Sequence, residues 1–137
     1  MDTLFIAGCG RFFEGTADEM HAALSYLGTL PAQTVVYNGH EYTAGNVAFA
    51  KSVDAENPAL KRLDGIVSAN KIVTGLTTIA DEKEWNPFMR LNTAPIQCVV
   101  ARLTDVVYLS VRRSATGASS DSAVMDQLRT MKNNFRG

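Results

Sequence analysis

The order strand, helix, strand within the first forty residues constrains this chain more than any other feature. Residues 3–7 read Thr-Leu-Phe-Ile-Ala, a short continuous apolar run ended by Gly8, which fits a buried strand. A buried strand needs neighbours on both sides, yet this one starts two residues into the chain, so the sequence reads as truncated at its front. Thr16 stands three residues before Glu19, the capping-box spacing, and Met20, Leu24 and Leu27 follow at i, i+4 and i+7. A helix is therefore predicted over residues 17–27, with Gly28 as its stop. Pro31 breaks the chain, and Thr34-Val35-Val36-Tyr37 makes a second strand halted by Asn38-Gly39. Such a unit pairs its strands in parallel in one layered sheet, with chemistry gathered beyond the strand ends. His40 stands just beyond one. If a covering sheet layer is missing, Leu4, Phe5, Val35 and Val36 are expected to expose apolar surface and to promote association.

The remainder reads as helix-rich. Residues 44–52 form one predicted helix; Asn57 caps a second that begins with Pro58 and carries Leu60, Leu63 and Val67 on one face. Residues 84–90 are a proline-interrupted turn loaded with large apolar side chains, an anchor packed on helices. Val124, Leu128, Met131 and Phe135 recur at i, i+4, i+7 and i+11, predicting an amphipathic helix capped from the cluster Ser119-Ser120-Asp121-Ser122. The 13 Lys and Arg residues against 14 Asp and Glu leave no positive excess to follow a nucleic acid. No apolar run approaches the roughly 20 residues of a membrane helix, and the Met1-Asp2-Thr3 start is unlike a signal peptide. Cys9 and Cys98 are expected as reduced thiols in a cytosol-like compartment.

The glycine-rich turn after the first strand does not match a nucleotide site. A dinucleotide fingerprint starting at Gly8 and Gly10 would need glycine where Phe13 stands, and a P-loop starting at Gly10 meets Thr16 where lysine is required. Its glycines instead let the backbone turn sharply and approach a ligand or a neighbour. His40 is the best single candidate for chemistry, because a strand-end imidazole can face a metal or a proton. His21, off the apolar stripe of its helix, reads as a solvated residue. Asp2 reads either as an exposed terminal acid or as a hard oxygen ligand at a strand edge. Arg129 and Lys132, three apart on the last helix, point the same way: a solvated face or a carboxylate clamp.

Four segments carry a resemblance: Asp2-Thr3-Leu4-Phe5, the run from Ala7-Gly8-Cys9-Gly10-Arg11-Phe12-Phe13-Glu14-Gly15 to Thr16, Gly39-His40-Glu41-Tyr42-Thr43, and Asn86-Pro87-Phe88-Met89-Arg90. In this order and spacing the chain resembles the second half of glyoxalase II, the hydroxyacylglutathione hydrolase, over nearly its whole length. The resemblance implies an α/β fold in which residues 1–50 are the C-terminal part of a metallo-β-lactamase-like αββα sandwich. Residues 51–137 are then a mostly helical C-terminal domain, with an insertion at 98–114 whose run at 105–111 suggests a strand. It implies hydrolysis of S-D-lactoylglutathione to D-lactate and glutathione at a binuclear site, usually zinc, sometimes iron or manganese. Asp2 and His40 match two metal ligands; the family's other histidine ligands have no counterpart in this chain, which is expected to be inactive alone. Arg11, Phe13, Tyr42, Arg129 and Lys132 match substrate-binding positions, with Phe13 replacing a common tyrosine. The implied partners are a glutathione thioester and the missing N-terminal half or a second copy, in the cytoplasm or, for some family members, the mitochondrion. The alternatives are a non-catalytic glutathione-binding remnant and a related enzyme acting on another glutathione derivative.

Overall fold

The computed structural model describes residues 2–103 and 117–137. The described residues form two minimal strands, β1 (Leu4–Phe5) and β2 (Gly8–Cys9), and the helices α1 (Ala17–Leu27), α2 (Thr43–Val53), α3 (Pro58–Ala69), α4 (Ile79–Trp85), α5 (Ala94–Leu103) and α6 (Gly117–Asn134). A 3-10 turn, Pro87–Met89, follows α4. The molecule is thus mostly helical with a small two-stranded sheet.

The helix signals act as read. Thr16 and Glu19 close a reciprocal capping box on α1, and Gly28 donates to Leu24 O at its end. The Asn57 side chain accepts from Ala59 N, and Pro58 opens α3. Residues 84–90 anchor as expected, with Trp85 and Phe88 fully buried. The short helix α4, in a stretch to which the sequence reading assigned no element ahead of the turn at 84–90, has its own capping box between Thr78 and Asp81. The last helix is already under way at Gly117, so the Ser119–Ser122 cluster lies within it and is not its cap. The expected strand at 105–111 lies outside the described residues. Helix α5 takes in residues 98–103 of the expected insertion, and Val100 is buried.

The parallel pairing expected of the first forty residues is not found. The apolar run at 3–7 reverses at Ile6-Ala7, where Ala7 N donates to Glu82 Oε2, and pairs antiparallel with β2, Leu4 opposite Cys9 and Phe5 opposite Gly8. Residues 34–36 instead run beside 77–79: Val36 N donates to Thr77 O and Ile79 N to Thr34 O, leaving Val35 opposite Thr78. Burial differs accordingly. Phe5 and Val36 are buried under the helices, Leu4 packs against both core clusters, and Val35 alone of the four named residues is exposed.

Two apolar clusters meet at α2, which also carries residue 50, where the sequence reading divides the chain. Val47 and Ala50 pack with Ile6, Leu60, Leu63, Val73, Ile79 and Trp85; Phe49 and Val53 pack with Leu24, Phe88, Ile96, Met125 and Leu128. Helix α1 lies on α6, and α3 on both α2 and α4. No helix of the described residues is long and apolar enough to cross a membrane.

Candidate functional site

The β1–β2 hairpin carries Asp2 at one end and Arg11 at the other, and α4 holds its apex. Ala7 takes a left-handed φ of 56°, a conformation costly for a residue with a Cβ. Its N–H donates to Glu82 Oε2 at 3.0 Å, and the same carboxylate accepts from Trp85 Nε1 and Asn86 Nδ2. Asn86 Nδ2 also reaches Phe5 O and Gly8 O, one on each strand. Asn46 of α2 donates to Ile6 O, and it leaves no room for a side chain at position 8: a Cβ there would sit 2.7 Å from Asn46 Nδ2. A Cβ at Gly10 would sit 1.9 Å from Asp2 O. The glycine-rich turn therefore serves close packing between neighbours. Burial, the dominant cause, raises the Glu82 pKa to about 7 against its three hydrogen bonds.

At the open end of the hairpin, Asp2 Oδ2 stands 2.7 Å from His40 Nδ1, both side chains partly exposed. His40 stacks on Tyr42 at 5.3 Å between ring centroids, and Phe5 meets both rings edge-on. Glu41, which the sequence reading did not single out, ties this loop down. Its carboxylate accepts from Thr43 Oγ1 at 2.6 Å and from the backbone N–H groups of Val73 and Thr74. Partial burial pushes its pKa up, but these hydrogen bonds outweigh that and hold it below the usual range. Only the side-by-side placement of a Glu and a Thr two residues apart hinted at this role.

A cleft of about 440 Å³ opens beside this pair, lined by Phe5, Arg11, Tyr42, Gly45, Arg129 and Lys132 among others. Four of the five expected substrate-binding residues thus share one concavity. Phe13 does not line it; at 75% exposure it borders a smaller depression of about 280 Å³ with Arg11 and Arg129. The two C-terminal cations differ. Arg129 is buried: Nη1 donates to Cys9 O at 2.6 Å, Nε and Nη2 both reach Asn133 Oδ1, and the guanidinium lies 5.7 Å from the Phe88 ring centroid. Lys132 is half-buried, among the described residues donates once, to Gly45 O, and sits over Phe49 at 5.3 Å, so two of its protons have no acceptor among those residues. Burial lowers the pKa of both; Arg129 adds to the effect on Lys132. The Cys9 thiol beneath them is pushed up to about 12 by burial and stays protonated. His21 is elsewhere, in a depression between α1 and the start of α6, 3.8 Å from Asp121.

The family model described as hydroxyacylglutathione hydrolase C-terminus matches residues 41–135, well over half of the chain. The chain belongs to this family. Its relatives include a protein of Schizosaccharomyces pombe named "probable hydroxyacylglutathione hydrolase", 45% identical over 133 residues, spanning 96% of this chain and 45% of that protein. The cytoplasmic isozyme of hydroxyacylglutathione hydrolase from Saccharomyces cerevisiae is 44% identical over 142 residues, spanning 96% and 47%. The hydroxyacylglutathione hydrolase of Rhizobium meliloti is 40% identical over 137 residues, spanning 98% and 48%. The chain spans about half the length of the curated relatives it matches.

Within this hydroxyacylglutathione hydrolase C-terminal chain, the donors fit a zinc ion in type but not in number. A carboxylate oxygen and an imidazole nitrogen are ordinary zinc ligands, and zinc takes about four. Among the described residues no three His, Cys, Asp or Glu side chains come together to hold a metal. Asp2 and His40 alone cannot complete one shell, still less two.

Proposed function

We propose that this chain supplies the C-terminal half of a hydroxyacylglutathione hydrolase, acting on S-D-lactoylglutathione to give D-lactate and glutathione. The observation that carries this reading is the Asp2–His40 pair, 2.7 Å apart, whose imidazole packs on Phe5 and Tyr42 at the wall of a cleft that also gathers Arg11 and Lys132. Asp2 and His40 serve as two ligands of a metal centre, zinc by family resemblance, whose other ligands lie in the half of the relatives that this chain does not span. Residues 1–50 then close a metallo-β-lactamase-like sandwich, and residues 51–137 form the helical domain with its insertion at 98–114.

The chain's own residues bind and orient the substrate. Arg11, exposed at the cleft mouth, and Lys132, with two protons that have no acceptor among the described residues, attract the anionic glutathione moiety through charge-assisted hydrogen bonds. The Tyr42 hydroxyl, which hydrogen-bonds to none of the described residues, donates to its peptide backbone. In the net reaction the carbon–sulfur bond breaks, the carbonyl carbon gains the hydroxyl of water, and the sulfur leaves with the proton. As in the S. cerevisiae relative, named a cytoplasmic isozyme, the cytoplasm is the proposed location.

The test is reconstitution with the half of the S. cerevisiae relative that this chain does not match. The pair is expected to bind zinc and hydrolyse S-D-lactoylglutathione; the chain alone is expected to do neither, and His40→Ala in the pair to abolish turnover through loss of metal. Two zinc ions per isolated chain by elemental analysis would overturn the assignment. A pair that assembles, binds zinc and glutathione but leaves the thioester intact would favour the non-catalytic alternative.

A further inference from the structure

His40 is placed by its main chain more than by its ring. The imidazole side chain is 55% exposed, with Asp2 at Nδ1, Tyr42 on one face and Phe5 at its edge. Its loop, residues 38–42, lies in no helix or strand, and among the described residues Tyr42, just ahead of α2, makes no side-chain capping bond. What fixes the loop comes from elsewhere in the chain. Val73, Thr74 and Gly75, in the connection between α3 and α4, run beside it as a strap. Val73 is buried in the core with Ile6, Leu63 and Trp85, so the strap is itself anchored. Gly75 takes a φ of 82°, and its N–H returns to Val36 O at 2.8 Å.

The strap holds the chain on both sides of His40. Ahead of it, Asn38 N donates to Thr74 Oγ1 at 3.0 Å, and the Thr74 hydroxyl reaches back to Asn38 O at 3.5 Å. Asn38 Nδ2 in turn donates to His40 O. Behind it, Glu41 Oε1 accepts from the N–H groups of Val73 and Thr74, while Oε2 accepts from Thr43 Oγ1 in the first turn of α2. Each carboxylate oxygen thus holds a different element, Oε1 the strap and Oε2 the helix. A half-exposed ring is only as well placed as the main chain beneath it, and a metal ligand must sit within about 0.5 Å of its productive position. We propose that Glu41 and Thr74 are positioning residues for His40, acting through its main chain to present the imidazole beside Asp2 and against Tyr42. This rests on the functional reading above for the metal that His40 would bind; the bracket itself does not.

Proton NMR of the chain alone gives the first test. The chain has two histidines, so His40→Ala assigns the His40 ring signals. A nuclear Overhauser contact between the His40 and Tyr42 rings is expected, and Glu41→Ala and Thr74→Val are each expected to lose it. Glu41→Gln, whose carbonyl oxygen can still accept from the strap, and Thr74→Ser, which keeps the hydroxyl, are expected to retain it. The second test is zinc binding by the pair reconstituted with the unmatched half of the S. cerevisiae relative. There Glu41→Ala and Thr74→Val should weaken affinity about tenfold or more, and the two conservative variants should restore it. If Glu41→Ala loses its helical circular dichroism, Thr74→Val decides. A ring contact unchanged in the variants that fold overturns the proposal, even where their urea midpoints fall, and so does a loss that the conservative variants share. A lost contact with zinc affinity unchanged upholds the bracket and overturns His40 as a metal ligand; weakened zinc binding with the contact intact does the reverse.

Discussion

The apex of the β1–β2 hairpin and its open end are built from the same few residues of chain and are finished to opposite degrees. At the apex, Glu82 and Asn86 are fully buried and satisfy Ala7, Phe5, Gly8, Trp85 and Phe88 within the described residues. At the open end, Asp2 pairs with His40, and among the described residues Asn38 Oδ1 is buried without a hydrogen-bond partner and the outward amides of Val35 and Tyr37 have none. The contrast separates what this chain stabilises by itself from what it presents to others. Polar groups buried in a finished network are costly to disturb, whereas half-satisfied exposed groups cost little until a partner arrives.

Breaking the finished end is expected to have the largest effect. Asn86→Ala removes the side-chain donor that ties both hairpin strands and Glu82 to α4 and leaves the buried Phe88 N–H without its acceptor, and should lower stability by roughly 3 kcal/mol in urea unfolding. Next comes pH. The folded-state pKa of Glu82, raised from 4.5 to about 7, means that the folded chain holds this proton more tightly than the unfolded one. Its contribution is complete below about pH 4.5 and is lost as pH rises through 7, a span worth about 3 kcal/mol. Glu82→Gln should flatten that slope, measured by urea unfolding across the same range.

The two C-terminal cations sharpen the comparison, because they divide between finished and unfinished. Arg129→Ala leaves Cys9 O buried without its donor and should cost about 2 kcal/mol of stability. Lys132→Ala should cost less than about 1 kcal/mol and, in the reconstituted pair, raise KM for the glutathione thioester with kcat little changed. A KM effect confined to Arg129→Ala would reverse this division. The smallest effect is expected for Phe13→Tyr, which should shift stability by no more than about 0.5 kcal/mol at so exposed a position. If the added hydroxyl reaches the substrate, KM falls.

Much of the fold is legible in the sequence where the signal is local. Thr16, Glu19, Asn57 and Pro58 set helix starts through contacts within four residues, so their spacing alone suffices. The hairpin was not legible, because an apolar run of five residues fits a buried strand as well as a tight reversal; what decides is Glu82, 75 residues away, accepting from Ala7. Helix α4 was hidden by its length of seven residues and by the Asn-Pro sequence that follows, although Thr78 and Asp81 spell its cap. The meeting of Asp2, His40, Arg11 and Lys132 was reached through family resemblance. Periodicity places His40 beyond a strand but says nothing of what it faces. The different work of Arg129 and Lys132 was invisible to their spacing, since both lie on one helix face and the bonds to Cys9 O and Asn133 Oδ1 are what set Arg129 apart.

The bond from Arg129 to Cys9 closes a loop of 120 residues, and that has a consequence for the order in which the molecule is made. Contacts between residues far apart in sequence form late, because the entropy of closing the loop is lost before the contact returns anything. On the ribosome the helices α1 to α4 can form as they emerge, but β2 has no donor for Cys9 until α6 has been synthesised. The cleft between the hairpin and α6 is therefore among the last features to appear during synthesis, and a chain caught before that point has helices without a binding site.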